Sequence, residues 1–242
     1  MDSKRKVTIS WSGGKDSAFA LYKILLSGDY HVVNLHTVFG DDTKRVGLHG
    51  VREALIERQA ECLGLPLVKL HLRESDNHQV YAALMQAYYK KCAQQGITHI
   101  VFGDIFLEDL RDYREQLLAG TSLQSVYPLW KIDSNLLVND FVGLGFKTAI
   151  CSADADVFSE TQVGQTIDAA FIENLPNGVD PCGENGEFHS MVYDGPVFKT
   201  PLLFDRGEVV KKAYTFQKKN EQDEIEVVSK AFWFQDLLPR IA

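Results

Sequence analysis

Two periodicities alternate along the first half of the chain. Lys6–Trp11 (KVTISW), His31–Phe39 (HVVNLHTVF), Leu67–Leu72 and Thr98–Phe102 (THIVF) are apolar, β-branched runs of strand length. Between them, Ser17–Leu26, Val51–Leu63 and Val80–Gln95 carry apolar residues at helical spacing. In Val51–Leu63 the apolar positions Val51, Leu55, Ile56, Cys62 and Leu63 leave Arg52, Glu53, Glu57 and Arg58 on another face. Gly64 and Pro66 then supply a stop. Strand–helix–strand alternation with short joins predicts an α/β fold: a parallel sheet covered by helices on both faces.

The second half is less regular. Ser134–Leu144 and Gln162–Asn174 have helical spacing, and Phe146–Ser152 is a strand. Gly178–Phe188 has the composition of a loop, with three glycines and a proline among acidic and amide side chains. Glu208–Phe216 and Glu224–Phe234 are two further strands, joined through the polar segment Gln217–Asp223. The change of pattern places a boundary near residues 120–130, giving units 1–125 and 126–242.

Composition narrows the class. At 242 residues and 45% hydrophobic, the chain has material for a substantial core and is not disordered, collagenous or a coiled coil. Its four cysteines (Cys62, Cys92, Cys151, Cys182) form no C-x-x-C pair, fitting neither a disulfide framework nor a zinc ribbon. No apolar run approaches a membrane span, and no signal-peptide core follows Met1–Lys6, so the expectation is a cytoplasmic protein without membrane contact. Residues 1–120 hold 15 Lys/Arg and 15 Asp/Glu, whereas residues 121–242 hold 10 and 18, so the whole net charge of −8 lies in the second half. Such a balance weighs against a nucleic-acid partner, whose phosphates call for lysine and arginine.

The sharpest local feature is Ser12-Gly13-Gly14-Lys15-Asp16-Ser17, after a strand and before a helix. Its two glycines let backbone N–H groups approach anionic oxygens, and the helix adds the positive end of its dipole. Lys15 supplies a charge, the Ser12 and Ser17 hydroxyls can donate, and Asp16 can help hold Mg²⁺ carried by a nucleotide. A plain glycine turn with Ser12 or Asp16 capping the helix is the simpler alternative. The spacing fits neither G-x-x-x-x-G-K-[ST] nor G-x-G-x-x-G.

The hexamer resembles the loop of the PP-loop ATP pyrophosphatases, within the adenine nucleotide α-hydrolase group. Further segments narrow the likeness. They are His49-Gly50-Val51-Arg52, Gln59-Ala60-Glu61 and Leu63–Leu67; Gly103-Asp104-Ile105 and Tyr127-Pro128-Leu129-Trp130; and Gly178–His189 (GVDPCGENGEFH) with Tyr193-Asp194-Gly195-Pro196. Together they resemble the diphthine–ammonia ligase family in its short, single-unit form, over about residues 6–217. Phe106–Gln116 departs from the family's tyrosine-glutamine-arginine pattern, which bears on the acceptor more than on the ATP step.

The resemblance implies a Rossmann-like sheet of the adenine-nucleotide-hydrolase type with a smaller C-terminal α/β region. It implies ATP with Mg²⁺, ammonia or ammonium, and a carboxylate acceptor, diphthine on an elongation factor in members with that activity. A homo-oligomer is a further expectation. In the implied reaction a carboxylate attacks the α-phosphorus, releasing pyrophosphate, and ammonia then displaces AMP. Ser12–Ser17 would hold the phosphates. Gly103 would let ribose or phosphate approach, Asp104 would take ribose hydroxyls or metal, and His36 either lines the adenosine pocket or is a half-buried strand histidine. Glu184 or Glu187 would bind or deprotonate ammonium, while Asn185 and His189 would position or stabilise the tetrahedral intermediate. Arg111 and Arg114 are candidates for a substrate carboxylate or are exposed helix charges. Cys182 is a nucleophile or a packing group. The competing readings are a tRNA-modifying PP-loop enzyme and a nucleotide sensor without turnover.

Overall fold

The structure, a computed structural model, describes residues 4–219 and 225–240. Five parallel strands form the first sheet: β1 (Arg5–Ser10), β2 (Tyr30–Gly40), β3 (Leu67–Leu72), β4 (His99–Val101) and β5 (Gln124–Val126). Their spatial order is β3-β2-β1-β4-β5. The connecting helices are α1 (Lys15–Ser27), α2 (Glu53–Leu63), α3 (His78–Gln94) and α4 (Glu108–Leu118). Strand order runs one way from β1 to β3 and the other way from β4 to β5. A crevice therefore opens at the carboxyl ends of β1 and β4, where open α/β sheets bind ligands.

The central strands are almost wholly apolar where they cross the core, with Val7, Ile9, Ile100 and Val101 fully buried. This is the signature of a sheet covered on both faces. α2 ends where the pattern indicates, on Gly64 in the left-handed conformation. α4 and β5 have weaker signals. α4 buries Leu117 and Leu118 and is otherwise largely polar, and β5 is three residues long.

A second sheet is antiparallel, in the order β7-β6-β9-β8. It comprises β6 (Lys147–Asp154), β7 (Phe188–Asp194), β8 (Phe204–Lys219) and β9 (Ile225–Pro239), with α5 (Ser134–Gly143) preceding it. The polar join predicted over Gln217–Asp223 lies largely outside the described residues. The helix expected over Gln162–Asn174 is cut to α6 (Ala169–Glu173), which Asp168 caps through Phe171 N–H. Residues 163–168 are drawn out along β6 instead: Gly164 N–H donates to Ile150 O and Ile167 N–H to Thr148 O. Backbone pairing with a sheet thus overrides the helical spacing there. β7 also begins inside what resembled pure loop, at Phe188.

One hydrophobic cluster runs through both sheets, from Val7 and Phe19 to Met191 and Leu237, and a second fills the opposite face of the first sheet around Met85, Tyr88 and Phe102. Asp236 on β9 ties the second sheet to the start of α2 and the segment before it by ion pairs to Arg45 (2.9 Å) and Arg52 (2.5 Å). All four cysteines are free thiols. Among the described residues no helix is long and apolar enough to cross a membrane.

Candidate active site

A cleft of about 340 Å³ sits at the strand-order reversal, between the β1–α1 loop, the end of β4 and the segment leading into β7. Gly13 adopts φ +84°, and a Cβ there would lie 2.5 Å from Ile56 Cδ1, so only glycine fits without displacement. Its carbonyl accepts from Val192 N–H (2.9 Å) and Gln59 Nε2 (3.0 Å). Gly14 N–H donates to Ser12 Oγ, Lys15 N–H donates to Ser190 Oγ and Ser17 Oγ donates to Gly14 O. No side chain caps α1. The capping alternative for Ser12 or Asp16 is therefore not realised: Ser12 Oγ bonds Gly14 N–H ahead of the helix, and the Ser190 hydroxyl from β7 takes the first helical N–H at the edge of the cleft.

Lys15 is 2% exposed, with Nζ 2.6 Å from Asp16 Oδ1. Burial alone would lower its pKa, but the nearby Asp16, Cys182 and Glu184 raise it, and the net shift is upward. Lys15 is an ammonium held inside the protein. Burial raises the pKa of Asp16, and the Lys15 charge opposes that shift without cancelling it. The two side chains thus form a compact, partly neutralised pair at the mouth of α1.

Gly103 is confined by protein. A Cβ on it would stand 2.8 Å from the Asp16 carbonyl carbon and 3.0 Å from Ser17 N. On the side where a Cβ would stand, the first turn of α1 packs against Gly103, and the missing side chain is what lets β4 and α1 come together; Gly103 still lines the cleft. Asp104 is 6% exposed and forms an ion pair with Arg114 of α4 at 2.6 Å. Arg114 also lies over the Phe102 ring, 4.6 Å from its centroid. Both line the cleft, but each charge is already answered by the other. Arg111 is not among the cleft residues; it stacks on Trp130 and Tyr127.

The glycine-rich segment folds over the cleft by bonds to itself. Asp180 Oδ1 accepts from Cys182 N–H (2.9 Å) and Glu184 N–H (3.2 Å). Glu187 Oε1 accepts from Asp180 N–H (3.0 Å) and from Asn185 Nδ2 (3.1 Å). Glu187 and Asn185 therefore turn into the loop, away from the cleft. Glu184 turns the other way. Its Oε1 accepts Ile105 N–H at 3.0 Å, and the side chain lines the cleft beside Lys15 and Asp16. Burial, reinforced by the Asp16 charge, pushes its pKa up to about 7. Cys182 lines the same wall, but burial pushes its thiol up to about 12, so it is not a thiolate near neutral pH.

Three histidines face the cleft. Burial lowers His36 to about 3 and His49 to about 4, and His189 lies well below its ordinary value. All three are neutral near pH 7. His49 and His189 stack with centroids 4.6 Å apart. His49 Nδ1 lies 3.3 Å from Ser190 O, which can only accept, so Nδ1 carries the proton. His36 Nε2 and His189 Nε2 are buried without a protein partner, which leaves both able to meet a ligand.

Family models of the diphthamide synthase N-terminal and C-terminal domains match residues 5–125 and 133–230. The chain belongs to the diphthamide synthase family. It is 26% identical over 223 residues to the human diphthine–ammonia ligase, covering 82% of each chain. The zebrafish (Danio rerio) diphthine–ammonia ligase is 24% identical, with 82% of this chain and 86% of that one covered. To the Schizosaccharomyces pombe diphthine–ammonia ligase it is 25% identical over 83% of this chain, which spans only 36% of that longer protein. Among solved structures, the U34-tRNA thiolase NcsA of Methanococcus maripaludis aligns loosely. The match has 19% identity and a TM-score of 0.36, over 58% of this chain and 57% of that one.

Of the residues expected from sequence, Ser12, Lys15, Asp16, Ser17, His36, Gly103, Asp104, Glu184 and His189 line one cleft. Gly13 and Gly14 form its loop, whereas Asn185 and Glu187 lie behind it. Sequence reasoning assigned no role to His49, Ser190 or Gln59. Gln59 did carry a signal: it is a fully buried amide in the apolar stripe Leu55–Ile56–Ala60–Leu63 of α2. Polar groups are placed in such a stripe when they have bonds to make.

Proposed function

We propose that this chain is an ATP-dependent amide ligase that joins ammonia to a carboxylate. The observation that carries the reading is the convergence of two distant segments. An uncapped helix start with a buried ammonium, Lys15, meets a carboxyl with a pKa near 7, Glu184, across one cleft. The names carried by the family's domains and by the relatives support the same reaction class.

In this reading the first turn of α1, with Ser12, Lys15 and Ser17, binds the phosphates. His36 and the end of β2 face the adenosine side. The residues present fit Mg²⁺ as an ion brought in on the nucleotide, with Asp16 as the nearby carboxylate. Among the described residues there is no group of three His, Cys, Asp or Glu side chains that would hold a metal by itself. An acceptor carboxylate oxygen attacks the α-phosphorus, and pyrophosphate leaves with the electron pair of the broken P–O bond. Ammonium then gives a proton to ionised Glu184 and the resulting ammonia attacks the acyl carbon; the C–O bond to the phosphate breaks, AMP leaves with that electron pair, and the second nitrogen-bound proton passes to the departing phosphate or to solvent. Neutral His189, with Nε2 unsatisfied, is placed to bond the tetrahedral centre. Glu187 and Asn185 keep the loop in the shape that presents Glu184. The relatives' names point to diphthine on an elongation factor as acceptor, and the free thiols suit the cytoplasm.

The test uses the full chain with ATP, Mg²⁺, ammonium and a diphthine-bearing elongation factor. Pyrophosphate and AMP should appear in equal amounts, only when both acceptor and ammonium are present. Lys15→Ala should weaken ATP binding by at least about 100-fold, since it leaves Asp16 buried and unpaired. ATP binding without pyrophosphate release for any carboxylate acceptor would leave a sensor and remove the ligase.

A further inference from the structure

A buried polar network in the first sheet takes no part in the steps above. Thr8 of β1, Asn34 and His36 of β2 and Tyr88 of α3 are all buried, and their polar ends converge. We infer that this network makes His36 the residue that selects the base of the nucleotide. It holds Nε2 as a fixed hydrogen-bond acceptor, which takes the exocyclic amino group of adenine and turns away a 6-oxo purine. The inference rests on the ligase reading only for ATP as the occupant. Its own basis is where the protons of the network must lie.

Asn34 Oδ1 has no proton to give. Thr8 Oγ1 stands 2.5 Å from it, too close for two oxygens without a proton between them, so the Thr8 hydroxyl donates to Asn34. Tyr88 OH donates to the same Oδ1 at 3.1 Å, and it meets only lone pairs at Thr8 Oγ1, also 3.1 Å away. Lone pairs are likewise all that Thr8 has left for His36 Nδ1, at 3.0 Å. The imidazole proton therefore sits on Nδ1. Burial, with the Arg114 charge nearby, keeps the ring neutral near pH 7, so Nε2 carries a lone pair and no proton. Tyr88, 4.8 Å away between centroids, and Tyr89, edge-on at 6.2 Å, fix the ring in place.

His36 is 2% exposed, lines the nucleotide cleft and has no protein partner for Nε2. An acceptor buried in this way is costly unless a ligand donates to it. Its surroundings suit a flat base. Val38 lies two residues along β2 on the same face, and Met85 lies one turn before Tyr88 and Tyr89 on α3. Both line the cleft, as does Tyr81. A ribose hydroxyl is the other donor a nucleotide brings, but apolar walls favour the base, whose two faces are themselves apolar. Adenine presents an N6 amino group, whereas guanine and hypoxanthine present O6, a second acceptor set against the first.

The test is isothermal titration of the full chain with nucleotide and Mg²⁺ in the absence of acceptor. ATP should bind about 10- to 100-fold more tightly than ITP, with purine riboside triphosphate, which has neither group, between them. Thr8→Val takes away the acceptor for Nδ1 and should bring ATP and ITP within about threefold of each other, as should His36→Phe; Thr8→Ser keeps the hydroxyl and should keep the preference. In ¹⁵N NMR of the free chain, His36 Nε2 should carry no proton. A proton on Nε2, or equal binding of ATP and ITP, would overturn the inference. So would 2′-deoxy- or 3′-deoxy-ATP binding as poorly as ITP while purine riboside triphosphate matches ATP, since Nε2 would then serve the ribose. Full preference retained in Thr8→Val would remove the network as its cause. A chain that shows the preference yet releases no pyrophosphate with any acceptor would instead overturn the ligase reading and leave base selection standing.

Discussion

Replacing Gln59 with Leu leaves the α2 stripe apolar and nearly the same size, yet it should be among the most damaging single changes in the chain. The Gln59 amide makes three bonds with no solvent access. Nε2 donates to Gly13 O (3.0 Å) and Val192 O (2.6 Å), and Oε1 accepts the Trp11 indole N–H (2.8 Å). After the change Gly13 O keeps the Val192 N–H, but Trp11 Nε1 and Val192 O lose the amide inside a dry core. Each buried group stranded in this way costs about 1–3 kcal/mol, so the sum is about 2–6 kcal/mol, centred near 3–4. For a chain of this length that lowers Tm by about 6–16 °C. Urea denaturation and thermal melts read the loss. A double variant adding Trp11→Phe removes the stranded indole N–H and should be less destabilising than the two single changes summed. A loss below about 1 kcal/mol, or strict additivity in the double variant, would refute the idea that this amide holds Trp11, the β1–α1 loop and β7 together.

Three further changes probe the site and the join between units. Glu184→Gln should lower the ammonia-dependent rate by about 10²–10⁴. At fixed free ammonia it should also flatten the rise in rate that the unsubstituted chain shows through about pH 7, as its burial-raised carboxyl ionises. An unaltered pH profile would remove Glu184 as the base. Gly103→Ala drives a methyl into the backbone of Asp16 and should cost about 1–3 kcal/mol while weakening ATP binding, as isothermal titration would show; unchanged affinity would mean α1 can shift freely. The Asp236 carboxyl is held below the usual aspartate range by Arg52 and by Arg45, against the opposing effect of burial. Its stabilising contribution is therefore complete above the ordinary aspartate pKa and fades as pH falls through the lowered one. Asp236→Ala should cost about 1–2 kcal/mol at pH 7, discounted for partial exposure, and the difference from the unsubstituted chain should shrink in acid. An equal difference at pH 7 and pH 3 would refute the ion-pair account.

The sequence by itself determined the first sheet and the glycine turn between β1 and α1. The apolar centres Val7–Ile9 and Ile100–Phe102 are buried on both faces, so they read continuously, and Gly64 and the SGGKDS turn are local necessities of backbone geometry. Local patterns of this kind survive folding because neighbouring residues enforce them. Where a distant partner supplied the stronger bond, the local reading failed: residues 163–168 exchange a helical pattern for backbone bonds to β6.

Only the tertiary structure could separate Glu184 from Glu187. In sequence they are two carboxylates three positions apart in one loop. In the fold, one bonds Asp180 N–H and Asn185 to hold the loop, and the other bonds Ile105 N–H just beyond β4 and faces Lys15. The glycine at 103 gained a second meaning for the same reason, since the start of α1 packs against it while it lines the cleft. The site is made where two sheets meet. Burial, which sets the Glu184 and histidine pKa values and isolates the Lys15 charge, is a property of that meeting, and no single stretch of chain carries it.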